Sequence, residues 1–232
     1  MKKIVGLLII VTILASCGNN KSGNMKVNGN IDGLKKGTLY LQKYVDTLLV
    51  SVDSVSVNGE SNFILSDNVE SPEIYFLMLN NIEDEKITFF GEKGEITINS
   101  KLEKFATSAK ISGSKNQDIL NEYEAMMVKF NGAELDFIKD RFEAQKEDDQ
   151  EAFLEIQKKE SNLIKRKYYY TTNFAIQHKN KEVAPYIALT ELYYANIKLL
   201  DTVNNSLTKK IKASKYGAEL DRFVTQIKDK EK

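Results

Sequence analysis

The stretch Lys110-Ile111-Ser112-Gly113-Ser114-Lys115-Asn116-Gln117-Asp118-Ile119-Leu120 is where the chain changes its period. Before it, apolar residues alternate with polar ones; after it they recur every third or fourth position. Ser114 follows the punctuating Gly113 and carries a hydroxyl suited to a first-turn amide, so it is predicted to be a helix N-cap. Ile119, Leu120, Tyr123, Met126, Met127 and Phe130 then share one helical face. The chain therefore reads as α+β. An antiparallel β-sandwich or partly open barrel is expected over 25–113, and an all-helical domain over 114–232.

Toward the N-terminus the period is two. Leu39 and Leu41 alternate with Thr38, Tyr40 and Gln42. Val50, Val52, Val55 and Val57 alternate with serines, and a one-step shift at Asp53-Ser54 predicts a bulge. Asn58-Gly59 is a turn signal ahead of Phe63-Ile64-Leu65. The run Ile74 to Leu79 after Pro72 is continuously apolar, as in a strand buried on both faces. Ile87 to Phe90, a turn at Gly91 to Gly94 and Ile96 to Ile98 read as a hairpin, with Lys110 to Ser112 closing the sheet.

Toward the C-terminus two long helices are expected, the second from about Gln150 to His178, joined at Glu147-Asp148-Asp149 as an antiparallel hairpin. Asn131-Gly132 is a candidate kink in the first. Asn180 is a candidate cap for a third helix with Pro185 in its first turn. Two shorter helices, Thr202 to Lys212 and Ala218 to Lys228, are expected on either side of Gly217.

Gly29-Asn30-Ile31, Gly37-Thr38-Leu39-Tyr40-Leu41, Asp53-Ser54, Val57-Asn58-Gly59, Phe63, Pro72, Ile87-Thr88-Phe89-Phe90, Gly94-Glu95-Ile96 and Ile111-Ser112-Gly113-Ser114 follow in an order that resembles a domain of unknown function. That domain stands at the N-terminus of many thioredoxin-like bacterial lipoproteins. The helical stretch, with Asn180 to Leu192, resembles their helical spacer. The resemblance implies fold and address. It implies no site residues, because those relatives continue into a thioredoxin domain with a CxxC and this sequence has none.

The first residues set the expected address. Lys2-Lys3, an apolar run from Ile4 to Ala15 and the tetrad Leu14-Ala15-Ser16-Cys17 have the form of a lipoprotein signal peptide over 1–16. The run is about a dozen residues, whereas a spanning helix needs about 20. Cys17 is the expected lipidation site, cleaved at its N-terminal side and carried as a thioether, with residues 17–24 as lipidated cysteine and flexible tether. Gly18 stands where an aspartate would retain a lipoprotein in the inner membrane of enteric bacteria. The expected place is thus the periplasmic face of the outer membrane in a Gram-negative envelope.

Composition narrows the chemistry. The 33 Lys and Arg equal the 33 Asp and Glu, and loss of Lys2 and Lys3 leaves the mature chain slightly acidic. That is no footprint for nucleic acid. The single cysteine, once lipidated, leaves no thiol for a disulfide, a CxxC or a thiolate metal site. His178, the only histidine, lacks an accompanying GxSxG and reads as a surface residue at a helix C-terminus. Glu83-Asp84-Glu85 and Glu147-Asp148-Asp149 lack the glycine-punctuated spacing of a calcium loop. Lys165-Arg166-Lys167 before Tyr168-Tyr169-Tyr170 reads as a charged helix face beside core tyrosines, and Lys209, Lys210, Lys212 and Lys215 as an exposed basic face.

No catalytic, cofactor or metal residue is assigned. The expected function is a non-enzymatic binding or scaffold lipoprotein with an envelope protein partner, and a separate thioredoxin-like redox protein is one candidate. The alternative is a hydrolase-type enzyme without a recognised motif, using carboxylates or His178.

Overall fold

The structure is a computed structural model that describes residues 23–80 and 86–230. The signal peptide and Cys17 lie outside them, as do Glu83-Asp84-Glu85. Eight strands come first: β1 Met25–Asp32, β2 Lys36–Val45, β3 Leu48–Asn58, β4 Asn62–Asp67, β5 Glu73–Leu79, β6 Lys86–Gly91, β7 Gly94–Lys101 and β8 Lys110–Ser112. A single 3-10 turn, Leu102–Lys104, interrupts them. Six helices follow: α1 Lys115–Lys146, α2 Gln150–Gln177, α3 Val183–Glu191, α4 Ile197–Ser206, α5 Lys209–Lys212 and α6 Lys215–Lys230.

The strands form two sheets, ordered β4-β1-β7-β8 and β3-β2-β5-β6, which do not close into a barrel. The pairs are antiparallel except β1 with β7, which run parallel from Met25 opposite Gly94 to Asp32 opposite Lys101. Gly29 sits in this pair, where a Cβ would fall 1.7 Å from the Ile98 carbonyl oxygen, so no side chain fits there. The register shift between β2 and β3 skips Val52, a bulge one residue from the sequence expectation.

The hairpin read at Gly91 to Gly94 is a correction. β6 pairs with β5, and β7 with β1, so this turn carries the chain from one sheet to the other. Gly91 makes the corner possible, because a Cβ there would stand 2.3 Å from the Tyr75 ring and 2.9 Å from Met25 Sδ. Turn chemistry marks a reversal of direction and says nothing of which strand receives the chain.

Met25, Val27, Leu39, Leu41, Leu65, Tyr75, Leu77, Phe89, Ile96 and Ile98 fill the space between the sheets. β5 is buried along its whole length. Its odd-numbered residues from Tyr75 face the other sheet, while Ile74, Phe76 and Met78, with Phe90, face helices. There they meet Leu120, Tyr123 and Met127 of α1, Phe174 of α2, and Val183 and Ile187 of α3. A third cluster joins α2, α3, α4 and α6 around Ala175, Ala188, Leu200, Val203 and Leu220. The layers are sheet, sheet and helices.

α1 starts as the sequence indicates: Ser114 Oγ accepts from Gln117 N at 3.2 Å. The helix is continuous through Asn131-Gly132, with no kink. Asp149 caps α2 by accepting from Ala152 N at 2.9 Å, and Asp148 takes the left-handed conformation at the turn. Three helix expectations fail. Thr202 to Lys212 is not one helix, because α4 ends at Ser206 and α5 starts at Lys209 with Thr208 as its cap. Glu182, not Asn180, is the N-cap of α3. Gly217 lies inside α6 instead of between helices, and a Cβ there would reach 1.8 Å from the Ile211 carbonyl oxygen. Close packing of α6 on α5 demands this glycine, a need indistinguishable in sequence from a helix break.

Backbone groups at the sheet edge are caught by helical side chains. Gln117 Oε1 accepts from Phe90 N at 2.8 Å, and Tyr216 OH from Ile74 N at 2.9 Å. Because sandwich and helices share apolar contacts and these bonds, they should melt as one unit. Phe90→Ala is expected to cost about 3–5 kcal/mol and to lower the β and helical circular-dichroism transitions together. Two separated transitions, or an unchanged midpoint, would contradict the shared core.

Candidate functional site

One end of the sandwich collects the charge. Met25, where the chain enters, lies opposite Asp67. Tyr75 OH donates to Asp67 Oδ2 at 2.7 Å, and Lys43 Nζ lies 2.8 Å from the same oxygen, 3.2 Å from Glu73 Oε1 and 3.0 Å from Tyr75 OH. Lys215 of α6 pairs with Glu73 Oε2 and donates to the Tyr44 carbonyl at 3.0 Å. Two lysines, two carboxylates and a phenol are thus tied across three strands and a helix. Lys43, Glu73 and Lys215 line an open cleft of about 610 Å³ together with Tyr44, Val45 and Ser214.

Burial alone would raise the Asp67 carboxyl, but hydrogen bonds from Lys43, Tyr75 and the Asn68 amide hold it below the usual carboxylate range. Burial alone would lower Lys43, but its hydrogen bond to Asp67 and the charges of Glu73 and Asp67 raise it instead. Burial, followed by the bond to Asp67, pushes the Tyr75 phenol up. Every charge in the cluster is neutralised by a neighbour. The arrangement clamps helix to sheet.

A second groove, about 380 Å³, runs between α1 and α3 and is lined by Tyr123, Glu124, Met127, Lys167, Tyr186 and Glu191. Burial first, then the charge of Glu191, raises the Glu124 carboxyl. Lys167 Nζ stands 3.9 Å from Glu191. A third groove, about 390 Å³, is lined by Tyr186, Tyr193, Tyr216 and Phe223, with the rings of Tyr193 and Phe223 stacked at 5.2 Å.

The largest unpartnered surface is the helical hairpin. At 1.5 Å per residue the 32 residues of α1 span about 48 Å, so the Glu147–Asp149 turn lies far from Lys115. Between Asn131 and Lys167, Ala144 is the only buried residue. Phe137, Leu163 and Ile156 are half-covered between the two helices. Val128, Leu135, Ile138 and Phe142 recur at coiled-coil spacing on α1, and Val128, Leu135 and Phe142 are 70%, 66% and 67% exposed. Ile138 and Ile164 line a groove of about 200 Å³ between the helices, beside the Arg141–Glu160 pair at 3.0 Å.

The residues singled out in sequence are scattered. His178 is the C-cap residue of α2, its ring 4.6 Å from that of Phe174. Glu147-Asp148-Asp149 is the hairpin turn, and no group of three metal-ligating side chains occurs among the described residues. Tyr168 and Tyr170 pack inward while Tyr169 is exposed. Lys215 alone of its basic group enters the clamp. Lys43, Asp67, Glu73 and Tyr75 escaped sequence reasoning, and the only signal was polar residues at strand ends beside a fully apolar run. No helix among the described residues is long and apolar enough to cross a membrane.

The clamp fixes a pH dependence. Asp67, lowered in the fold, stabilises above its unfolded pKa, and that contribution is lost as pH falls through the folded value. Lys43 and Tyr75, raised in the fold, stabilise below their unfolded values near 10, and that contribution is lost as pH rises beyond them. Lys43→Met, which removes the cation between half-buried Asp67 and buried Glu73 and leaves Asp67 with the Tyr75 phenol but no ion pair, is expected to cost about 3 kcal/mol at pH 7 and to make the melting temperature rise on mild acidification. An unchanged pH profile in the variant would contradict the clamp.

Residues 25–120 match the family model of a domain of unknown function, DUF4369. No curated protein and no solved structure matches the chain. The match covers the whole sandwich and ends at Leu120 in α1, on the first helical residues that pack against β5 and β6. The chain carries an N-terminal domain of unknown function, DUF4369, followed by a helical region.

Proposed function

We propose that this chain is a non-enzymatic scaffold lipoprotein, anchored through Cys17 at the periplasmic face of the outer membrane, that holds an envelope protein through its helical hairpin. The observation that carries this reading is the apolar stripe Val128, Leu135, Ile138 and Phe142, left without a partner on an arm whose tip is about 48 Å from the start of α1. A two-helix arm with one buried residue beyond the core derives little stability from its own packing. A protein laid along the stripe supplies the missing contacts.

The arm also states what its partner looks like. Glu143, Glu147, Asp148 and Glu151 crowd the tip against Lys146, so the partner carries an apolar helix ridge with basic groups at that end. Relatives with the resembling module continue into a thioredoxin domain. A separate thioredoxin-like redox protein is therefore the first partner to try.

The hydrolase-type reading rests on one observation, the raised Glu124 carboxyl facing Glu191 across a groove. Thr190 and Lys167 line the same groove, and Lys167 stands 3.9 Å from Glu191.

The test places a photo-crosslinking residue at Leu135 in the native envelope. A discrete adduct to one protein is expected, absent when the probe is at Ile64, exposed on β4 of the other sheet. Leu135→Glu with Phe142→Glu should abolish binding of that protein to the purified chain, with the unfolding free energy within about 1 kcal/mol of the parent, as for exposed positions. Adducts that do not depend on probe position would refute the arm as the docking surface. Cys17→Ser should leave unprocessed, unlipidated precursor by mass spectrometry, and a free thiol at Cys17 in the mature parent would refute the anchor.

A further inference from the structure

The chain enters the fold at the clamp end. Asn24 accepts from Gly94 N through its carbonyl at 2.9 Å, and its side chain accepts from Val69 N at 2.7 Å and donates to the Val69 carbonyl at 3.0 Å. The β2–β3 turn is at this same end, because Lys43 at its base reaches Asp67 and Tyr75. The strand ends that flank the Asp46-Thr47 turn carry exposed apolar side chains: Tyr44, Val45 and Leu48 are 45%, 48% and 70% exposed, Tyr44 with its ring edge-on to Phe76 at 5.5 Å, and Asp46 takes the left-handed conformation. α5 stands beside it, since the cleft runs from Tyr44 and Val45 to Ala213 and Lys215. An adjoining cleft carries Lys93, Lys181 and Lys210.

We propose that this end is a membrane-contact face. The Tyr44–Leu48 turn enters the headgroup region of the bilayer, and Lys93, Lys181, Lys209, Lys210 and Lys212 rest against anionic phospholipid.

This inference rests on the Cys17 anchor of the reading above. Cys17 stands six positions before Gly23, and six residues span at most about 20 Å even fully extended, so the end where the chain enters faces the lipid. An exposed tyrosine beside aliphatic side chains suits the interface, where an amphipathic ring sits at headgroup depth. None of the five lysines makes an ion pair among the described residues, whereas Lys43 and Lys215 are held in the clamp. Opposing them at this end are Asp46, Glu70, Glu92 and the buried Glu182, and Glu92 is engaged with the first amides of α1 and the Asn116 side chain. The surplus is basic and suits anionic headgroups. The arm leaves from the same end, as Lys115 bonds Glu92, and carries its tip about 48 Å away into the aqueous space.

The experiment uses natively lipidated protein, in which Cys17 is a thioether and Leu48→Cys supplies a single thiol for an environment-sensitive fluorophore. Mass spectrometry of the same preparation reports the acyl chains on Cys17. In vesicles of phosphatidylethanolamine and phosphatidylglycerol, acrylamide should quench the label at position 48 several-fold less than one at Phe142→Cys on the arm. The protection should shrink when phosphatidylcholine replaces the anionic lipid, and in Lys209→Glu with Lys210→Glu. Equal quenching at both positions of an acylated protein would overturn the contact face and leave the anchor standing. Protection that persists in lipid-free detergent solution would assign the turn to a protein contact and overturn the proposal. An unmodified Cys17 would remove the ground of both readings.

Discussion

β5 is enclosed on both faces, and most of the architecture follows from that constraint. A strand whose every residue is buried needs an apolar layer on each side. The first sheet supplies one layer through Leu65, Ile96 and Ile98, and α1, α2 and α3 supply the other. The helical region is consequently a third layer of the same core. Gln117 and Tyr216 complete it by satisfying the amides of Phe90 and Ile74, which no strand partner reaches. With the helices fixed against the sheet, α1 must overshoot it. A 32-residue helix is about twice as long as a strand of 7 residues, so its distal half projects as an arm.

Features carried by local patterning were legible in the sequence. The change of period at Ser114, the cap there, the doubly buried run Ile74 to Leu79 and the hairpin turn at Asp148 all depend on residues close in the chain. Pairing was not legible. The turn at Gly91 to Gly94 has hairpin chemistry, yet Gly91 is there because Tyr75 and Met25 leave no room for a side chain. The parallel β1–β7 pair joins residues about 70 positions apart and has no local signature. Gly217 is read as a break for the same reason: packing against Ile211 looks, one-dimensionally, like a helix terminator.

The clamp was invisible on the same physical ground. Lys43, Asp67, Glu73 and Lys215 are unremarkable polar residues at the ends of their elements, and only the fold brings Lys215 across 142 positions to Glu73. A buried charge cluster of this kind is a weak source of net stability but a strong source of geometry, since any rearrangement strands a charge. It orients α5 and α6 against the β2–β3 turn and so shapes the end of the molecule at which the chain enters. The apolar period that marks one face of α1 up to Phe130 runs on into the arm, where Leu135 and Phe142 are exposed. Helical periodicity identifies an apolar face without stating whether the partner is in the same chain.

The claim that binds these observations is that the molecule is a rigid core bearing an unpartnered arm. Native-state amide hydrogen exchange on the isolated mature chain tests it most directly. The account requires β5 and residues 115–127 of α1 to exchange only through global unfolding, and residues 131–164 to exchange through local opening at much lower free energy. Uniform protection along α1 and α2 in the isolated chain would mean that the arm is complete by itself, and would contradict the reading of its apolar stripe as a surface awaiting a partner.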